Sequence, residues 1–190
     1  MVNDTQNWLN FQGIGHDLPT SPYDLMKLLD QNAIKFTFYH HKPVFTVADS
    51  SEVDSQIAGT HTRNLFLKDK KDKMFLVTLR HDTPLDLKKL EKIIGAGRLS
   101  FGSPERLWTY LGVRAGSVTP FAIINDKDHA VTPIWEAGMM AQNIVNFHPL
   151  LNSMTIGLTP NDLRQFAKLI NRDVQELDLD AARPFAFGDV

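Results

Sequence analysis

Two long extended runs joined by a short charged turn set the strongest limit on how this chain can fold. Thr62-Arg63-Asn64-Leu65-Phe66-Leu67-Lys68 reads as one strand, Asp69-Lys70-Lys71-Asp72 as a hairpin turn, and residues 73–80 as the returning strand. A hairpin of this length needs further strands and a covering layer to be stable. Residues 35–40, 99–101, 130–135, 143–147 and 153–158 read as such strands, with 174–177 as an edge strand. Pro133 demotes the outer edge of its strand, because proline has no N–H to give a ladder. Helices are predicted from Pro22 to about Asn32, from Asp86 to Ile94 and from Pro104 to Leu111. A fourth opens at Pro160. Ser21, Ser103 and Thr159 cap three of them, and Gly95 stops the second. A short helix from Asp49 or Ser50 to Ile57 completes the set. Strands and helices interleave irregularly, which predicts an α/β (α+β) fold: one compact domain with a mixed sheet flanked by helices.

Length agrees with that reading. The chain has 190 residues, 43% of them hydrophobic, which suffices for one core. Residues 1–20 read as an N-terminal leader anchored by Trp8, Leu9 and Phe11. Residues 21–178 form the domain, and 179–190 form a C-terminal tail. No apolar run reaches membrane-spanning length. The first ten residues are polar and lack the pattern of a signal peptide. There is no cysteine, so disulfide and thiolate chemistry are excluded, and a cytoplasmic location is expected. The formal net charge of −2 argues against a general nucleic-acid coat but leaves room for a local basic patch.

A second stretch carries the chemistry. Gly116-Ser117-Val118-Thr119-Pro120 precedes the apolar run Phe121-Ala122-Ile123-Ile124, which reads as a buried strand. Gly116 can adopt a positive φ, and Pro120 fixes its own φ and pushes Thr119 towards an extended conformation. A concave loop between them would aim the N–H groups of Ser117, Val118 and Thr119 at one oxygen atom. Taken alone, the same string also suits an ordinary turn. The seven histidines show no metal-ligand spacing, and His40 and His41 would point to opposite faces of a strand. No nucleophile elbow, phosphate-binding loop or dinucleotide fingerprint is present. Lys68, Lys70, Lys71 and Lys73 form a cationic turn whose simplest reading is a solvated surface. It gains meaning only beside a pocket, for which Arg63-Asn64 could form one wall and Asn146 with His148 another.

Several motifs in fixed order then point further. They are Pro43-Val44-Phe45-Thr46, Thr62 to Lys71, Arg98-Leu99-Ser100-Phe101, Ser103-Pro104-Glu105-Arg106-Leu107, Gly116 to Phe121, and Asn146-Phe147-His148-Pro149-Leu150. Over roughly residues 22–178 the chain resembles the prolyl-tRNA editing family. These are free-standing relatives of the editing domain of bacterial prolyl-tRNA synthetases, and the resemblance is to members that hydrolyse alanyl-tRNA(Pro).

The resemblance implies a partly barrel-like mixed sheet and an aminoacyl-ester hydrolase acting in trans on mischarged tRNA. It implies no metal and no organic cofactor. The expected partner is the acceptor end of the tRNA, with room for a transient association with an aminoacyl-tRNA synthetase and none with a membrane. Oligomeric state stays open. Carried over by motif, the catalytic set is Arg63, Asn64, Gly116, Ser117, Val118 and His148. The substrate-binding set is Phe45, Thr62, Lys68, Arg98, Ser103, Thr119, Pro120 and Asn146. At Arg63 this chain departs from the family pattern, which usually has lysine there. A planar guanidinium and a compact ammonium are not interchangeable. Two alternatives follow: a sister deacylase for misacylated serine, threonine or cysteine, or a non-catalytic tRNA- or ligand-binding module.

Overall fold

The hairpin forms the middle of an eight-stranded sheet. The computed structural model describes residues 7–43 and 56–184. Its strands are β1 (Thr37–His40), β2 (Thr60–Lys68), β3 (Met74–Arg80), β4 (Ser100–Phe101), β5 (Val131–Glu136), β6 (Val145–Phe147), β7 (Met154–Leu158) and β8 (Gln175–Leu177). The order across the sheet is β1-β7-β6-β2-β3-β5-β8, with β4 added alongside β2. β2 and β3 pair antiparallel from Thr62–Arg80 to Lys68–Met74, and Asp69 to Asp72 make the turn. β6 joins β2, β5 joins β3, and β8 joins β5, all in parallel, so the sheet is mixed. Pro133 is tolerated because its outer side is open: β8 begins pairing with β5 only at Ile134.

Among the described residues five α-helices flank the sheet: α1 (Pro22–Gln31), α2 (Leu87–Ile93), α3 (Pro104–Leu111), α4 (Ala137–Met140) and α5 (Pro160–Leu169). Ser21, Ser103 and Thr159 each accept a hydrogen bond from a backbone N–H of the first turn, and proline follows each of them. α1 buries Leu25, Met26 and Leu29. Gly112 ends α3 in the left-handed region, at φ +60°. No helix among the described residues is long and apolar enough to cross a membrane.

One predicted strand is not a strand. Pro120–Ile124 is a short 3-10 helix, capped by the Thr119 hydroxyl. Its Phe121, Ala122 and Ile123 are as buried as a core strand would be. Thr119-Pro120 acts as the other Ser/Thr-Pro pairs do, starting a helical turn, while the apolar run mimics a strand because both of its sides are covered.

The two faces of β2 and β3 meet different cores. Phe66, Met74 and Leu76 join a large cluster with α1, α3, α5 and the 3-10 turn. Leu67, Phe75, Val77 and Leu79 join a smaller one with Leu90, Leu99, Leu179 and Ala182. At the N-terminal end, Trp8 is buried against Tyr23 and Phe36, whereas Leu9 is exposed. The motif residues Val44-Phe45-Thr46, the start of the helix predicted from Asp49 or Ser50 and the last six residues of the tail lie outside the described residues.

Candidate active site

Successive side chains of a strand point to opposite faces. Asn64 therefore shares a face of β2 with Phe66, and Arg63 shares the other with Leu65 and Leu67. On the Asn64 face lies an open pocket of about 190 Å³. β2 contributes Asn64 and Phe66. The segment after it contributes Phe101, Gly102, Pro104 and Leu107, and the loop contributes Ala115, Gly116 and Val118. Gly102 is required by close approach: its N–H donates to the Phe66 carbonyl, and a Cβ there would stand 2.4 Å from the Phe66 ring. None of these lining side chains is a nucleophile or titrates near neutral pH.

The loop has the conformation its glycine foretold. Gly116 has φ +86°, where a side chain is strained, although a Cβ would meet only Asn152 Nδ2 at 3.5 Å. The Ser117 N–H is already used, donating to the Arg114 carbonyl at 3.0 Å. Ser117 Oγ accepts from the Asn152 N–H at 3.1 Å, tying the loop to the segment after β6. The N–H groups of Val118 and Thr119 donate to no acceptor among the described residues. Two of the three donors put forward from sequence thus remain available, and Val118 stands in the pocket wall. Thr119 is fully buried, and Pro120 opens the 3-10 turn behind it.

Asn64 adds a third donor. Its Oδ1 is buried without a hydrogen-bond partner, so the NH2 end of the carboxamide is the one presented to the pocket. The Arg63 guanidinium instead donates through Nη2 to the Thr83 carbonyl, in the loop after β3. Its Nε is buried and unpaired. Nearby, Glu136 is almost wholly buried and accepts from the Arg80 N–H, the Arg80 guanidinium and the Thr83 hydroxyl. Burial alone would raise the Glu136 pKa. The Arg80 guanidinium and N–H and the Thr83 hydroxyl outweigh it and hold the carboxyl below its ordinary value.

The other sequence candidates spread out. The Thr62 hydroxyl donates to the Asn146 carbonyl at 2.8 Å, and Asn146 Nδ2 donates to the Ala58 carbonyl at 3.1 Å. Asn146 is wedged between Gly59 and Gly157, where Cβ atoms would come within 3.0 Å and 2.6 Å of its carboxamide. These two residues clasp β2 to β6, away from the pocket lining. His148 Nδ1 donates to the Met154 carbonyl at 2.9 Å, and its ring lies 6.3 Å from that of His41. His148 is in the segment that Asn152 ties to Ser117, but it does not line the pocket. Ser103 is spent as a helix cap. Lys68 pairs with Asp72 at 3.2 Å, and Arg106 reaches the same carboxylate. Arg98 is exposed. Phe45 lies outside the described residues. Sequence reasoning passed over Phe66, Phe101, Gly102, Pro104, Leu107 and Ala115 as pocket residues. Gly102 alone carried a readable signal, as a glycine between a strand and a capped helix.

The chain matches the aminoacyl-tRNA editing domain over residues 41–166. It is 39% identical over 152 residues to the prolyl-tRNA synthetase associated domain-containing protein 1 of Danio rerio, covering 77% of this chain and 83% of that one. Against the prolyl-tRNA editing protein ProX of Acetoanaerobium sticklandii it is 33% identical, covering 80% and 93%. A crystal structure described as a candidate trans-editing enzyme for prolyl-tRNA synthetase superposes with a TM-score of 0.57 at 16% identity. That match spans 91% of this chain and 93% of the other, and supports the fold. With its pocket built on the matched segment and its relatives covered over most of their length, this chain belongs to the aminoacyl-tRNA editing domain family.

Proposed function

We propose that this protein is a trans-editing deacylase that hydrolyses the ester bond of mischarged tRNA(Pro), with alanyl-tRNA(Pro) as its first substrate. One observation carries the reading: an open pocket where Asn64 and the glycine loop, with its unspent N–H groups, meet apolar side chains, with no side-chain nucleophile in the lining. An aminoacyl ester is already activated, so water or a hydroxyl of the terminal ribose can attack it without a covalent enzyme intermediate. What the protein must supply is stabilisation of the charge that develops on the carbonyl oxygen. The Val118 and Thr119 N–H groups and the Asn64 NH2 are the donors that could provide it. Apolar walls from Phe66, Leu107 and Val118 suit a small alkyl side chain.

The relatives named for prolyl-tRNA editing support tRNA(Pro) as the carrier. The hairpin lysines would meet the acceptor-end phosphates. Turnover of a panel of purified aminoacyl-tRNAs tests the proposal. Hydrolysis of alanyl-tRNA(Pro) with prolyl-tRNA(Pro) spared is the expected result. A preference for seryl, threonyl or cysteinyl esters would move the chain to a sister specificity. Binding of tRNA with no turnover of any ester would make it a non-catalytic module.

A further inference from the structure

On the face of the sheet that carries the pocket, three buried polar groups stand in a row, without partners among the described residues. Asn64 on β2 lies directly opposite Thr78 on β3, and Thr78 lies directly opposite Trp135 on β5. Residues paired in this way project from the same face of the sheet. Thr78 is 0% exposed and Trp135 1%. Among the described residues, Asn64 Oδ1, Thr78 Oγ1 and Trp135 Nε1 have no hydrogen-bond partner. Unpaired buried polar atoms are costly, and three on adjacent strands call for a common explanation.

We propose that Thr78 and Trp135 are positioning residues that act through Asn64 by way of one buried water. Neighbouring strands lie about 4.8 Å apart, so Thr78 on the middle strand is one spacing from each of the other two, and a water held over it is placed to reach both. The polarity is complementary. The indole N–H can only donate, so the water accepts from it. The water's two hydrogens then go to Asn64 Oδ1 and Thr78 Oγ1. Three hydrogen bonds are the usual complement of a buried water. The consequence lies at the pocket: with Oδ1 held inward, the Asn64 NH2 is fixed as a donor towards the ester carbonyl. The inference rests on the proposed deacylase reading for its kinetic consequence but not for its structural one.

Thr78→Val removes the hydroxyl at nearly constant volume, and Thr78→Ser keeps it. With the aminoacyl-tRNA that the panel identifies, Thr78→Val lowers kcat about tenfold with KM unchanged, and Thr78→Ser stays within about twofold of wild type. In an Asn64→Ala background, Thr78→Val brings no further loss, because residues acting through one group are non-additive. A wild-type rate for Thr78→Val, or a loss that adds to that of Asn64→Ala, overturns the proposal. A second readout needs no activity: the indole Nε1–H resonance of Trp135 followed by NMR. In the wild type it exchanges slowly with solvent, and Thr78→Val, which removes one of the groups holding its water acceptor, speeds that exchange at least tenfold. Unchanged exchange overturns the proposal. If the panel shows no turnover at all, the functional reading fails, and the exchange measurement still decides this one.

Discussion

The two faces of β2 place neighbouring residues in different roles. Asn64 and Phe66 look onto a pocket with an open mouth and unspent donors. Arg63, one residue earlier, turns to the other side, where its guanidinium meets a loop carbonyl beside the Arg80–Glu136 pair. On the first face polar groups are left uncommitted. On the second they are tied to one another, the Arg63 Nε excepted. The contrast teaches that polarity within a motif does not identify a site. Unspent hydrogen-bonding capacity beside an accessible space does.

The contrast can be broken or sharpened by substitution. The largest effects belong to the pocket face. Asn64→Asp exchanges a donor for a carboxylate at nearly constant shape, and loss of one such donor costs roughly 3 kcal/mol of transition-state stabilisation. Single-turnover deacylation should fall about 100-fold or more. If Asn64→Asp stays active, the carboxamide oxygen rather than its NH2 faces the substrate. Gly116→Ala should cost a similar factor in rate through the displaced Val118 N–H, together with about 1–2 kcal/mol of stability from strain at positive φ. A fully active Gly116→Ala protein reduces the loop to a turn.

Next comes the other face, where the effect should be on stability. Glu136→Gln unpairs Arg80, whose side chain stays 25% exposed. The expected destabilisation is about 2–3 kcal/mol, below the 3–5 typical of fully buried pairs. The rate per folded molecule should not change, and denaturant unfolding with kinetics checks both. The Glu136 carboxyl has a folded pKa below its ordinary 4.5, so its contribution is complete above that value and fades as pH falls through the folded pKa. Melting temperature should therefore drop on acidification below about pH 4.5, less steeply in Glu136→Gln. Arg63→Ala should cost about 1 kcal/mol of stability through the lost bond to Thr83. A large rise in KM instead would show that the guanidinium swings towards substrate, and Arg63→Lys would then retain affinity. The smallest effect belongs to the hairpin tip: replacing Lys68, Lys70 and Lys71 by alanine should flatten the salt dependence of tRNA binding without altering amino-acid choice.

Much of this architecture was legible because the chain repeats one device. Ser21-Pro22, Ser103-Pro104 and Thr159-Pro160 each announce a helix, and each helix begins there. Thr119-Pro120 is the same signal, misread because the apolar residues after it outweighed the cap. In the site, adjacency misled in a similar way. Arg63 and Asn64 together suggest a pocket wall, yet the twofold period of a strand forbids both from lining one space. The pocket's remaining walls were hidden for a different reason. Phe66, Leu107 and Ala115 come from distant segments, and only the register of β2 and the packing of α3 bring them together. The row formed by Asn64, Thr78 and Trp135 was equally invisible, since it depends on how two strand pairings align.

At the hairpin tip, Asp69 is only 2% exposed although it sits among lysines. Its carboxylate accepts from the N–H groups of Lys71, Lys73 and Gly97, bracing the turn against the segment that leads into β4. Burial would raise its pKa, but these donors hold it below the ordinary value. The lysines are therefore carried on a backbone whose shape is already set. A polyanion reaching this tip would need to order side chains but no loop, and the entropy that a floppy basic segment surrenders on binding would already have been spent in folding.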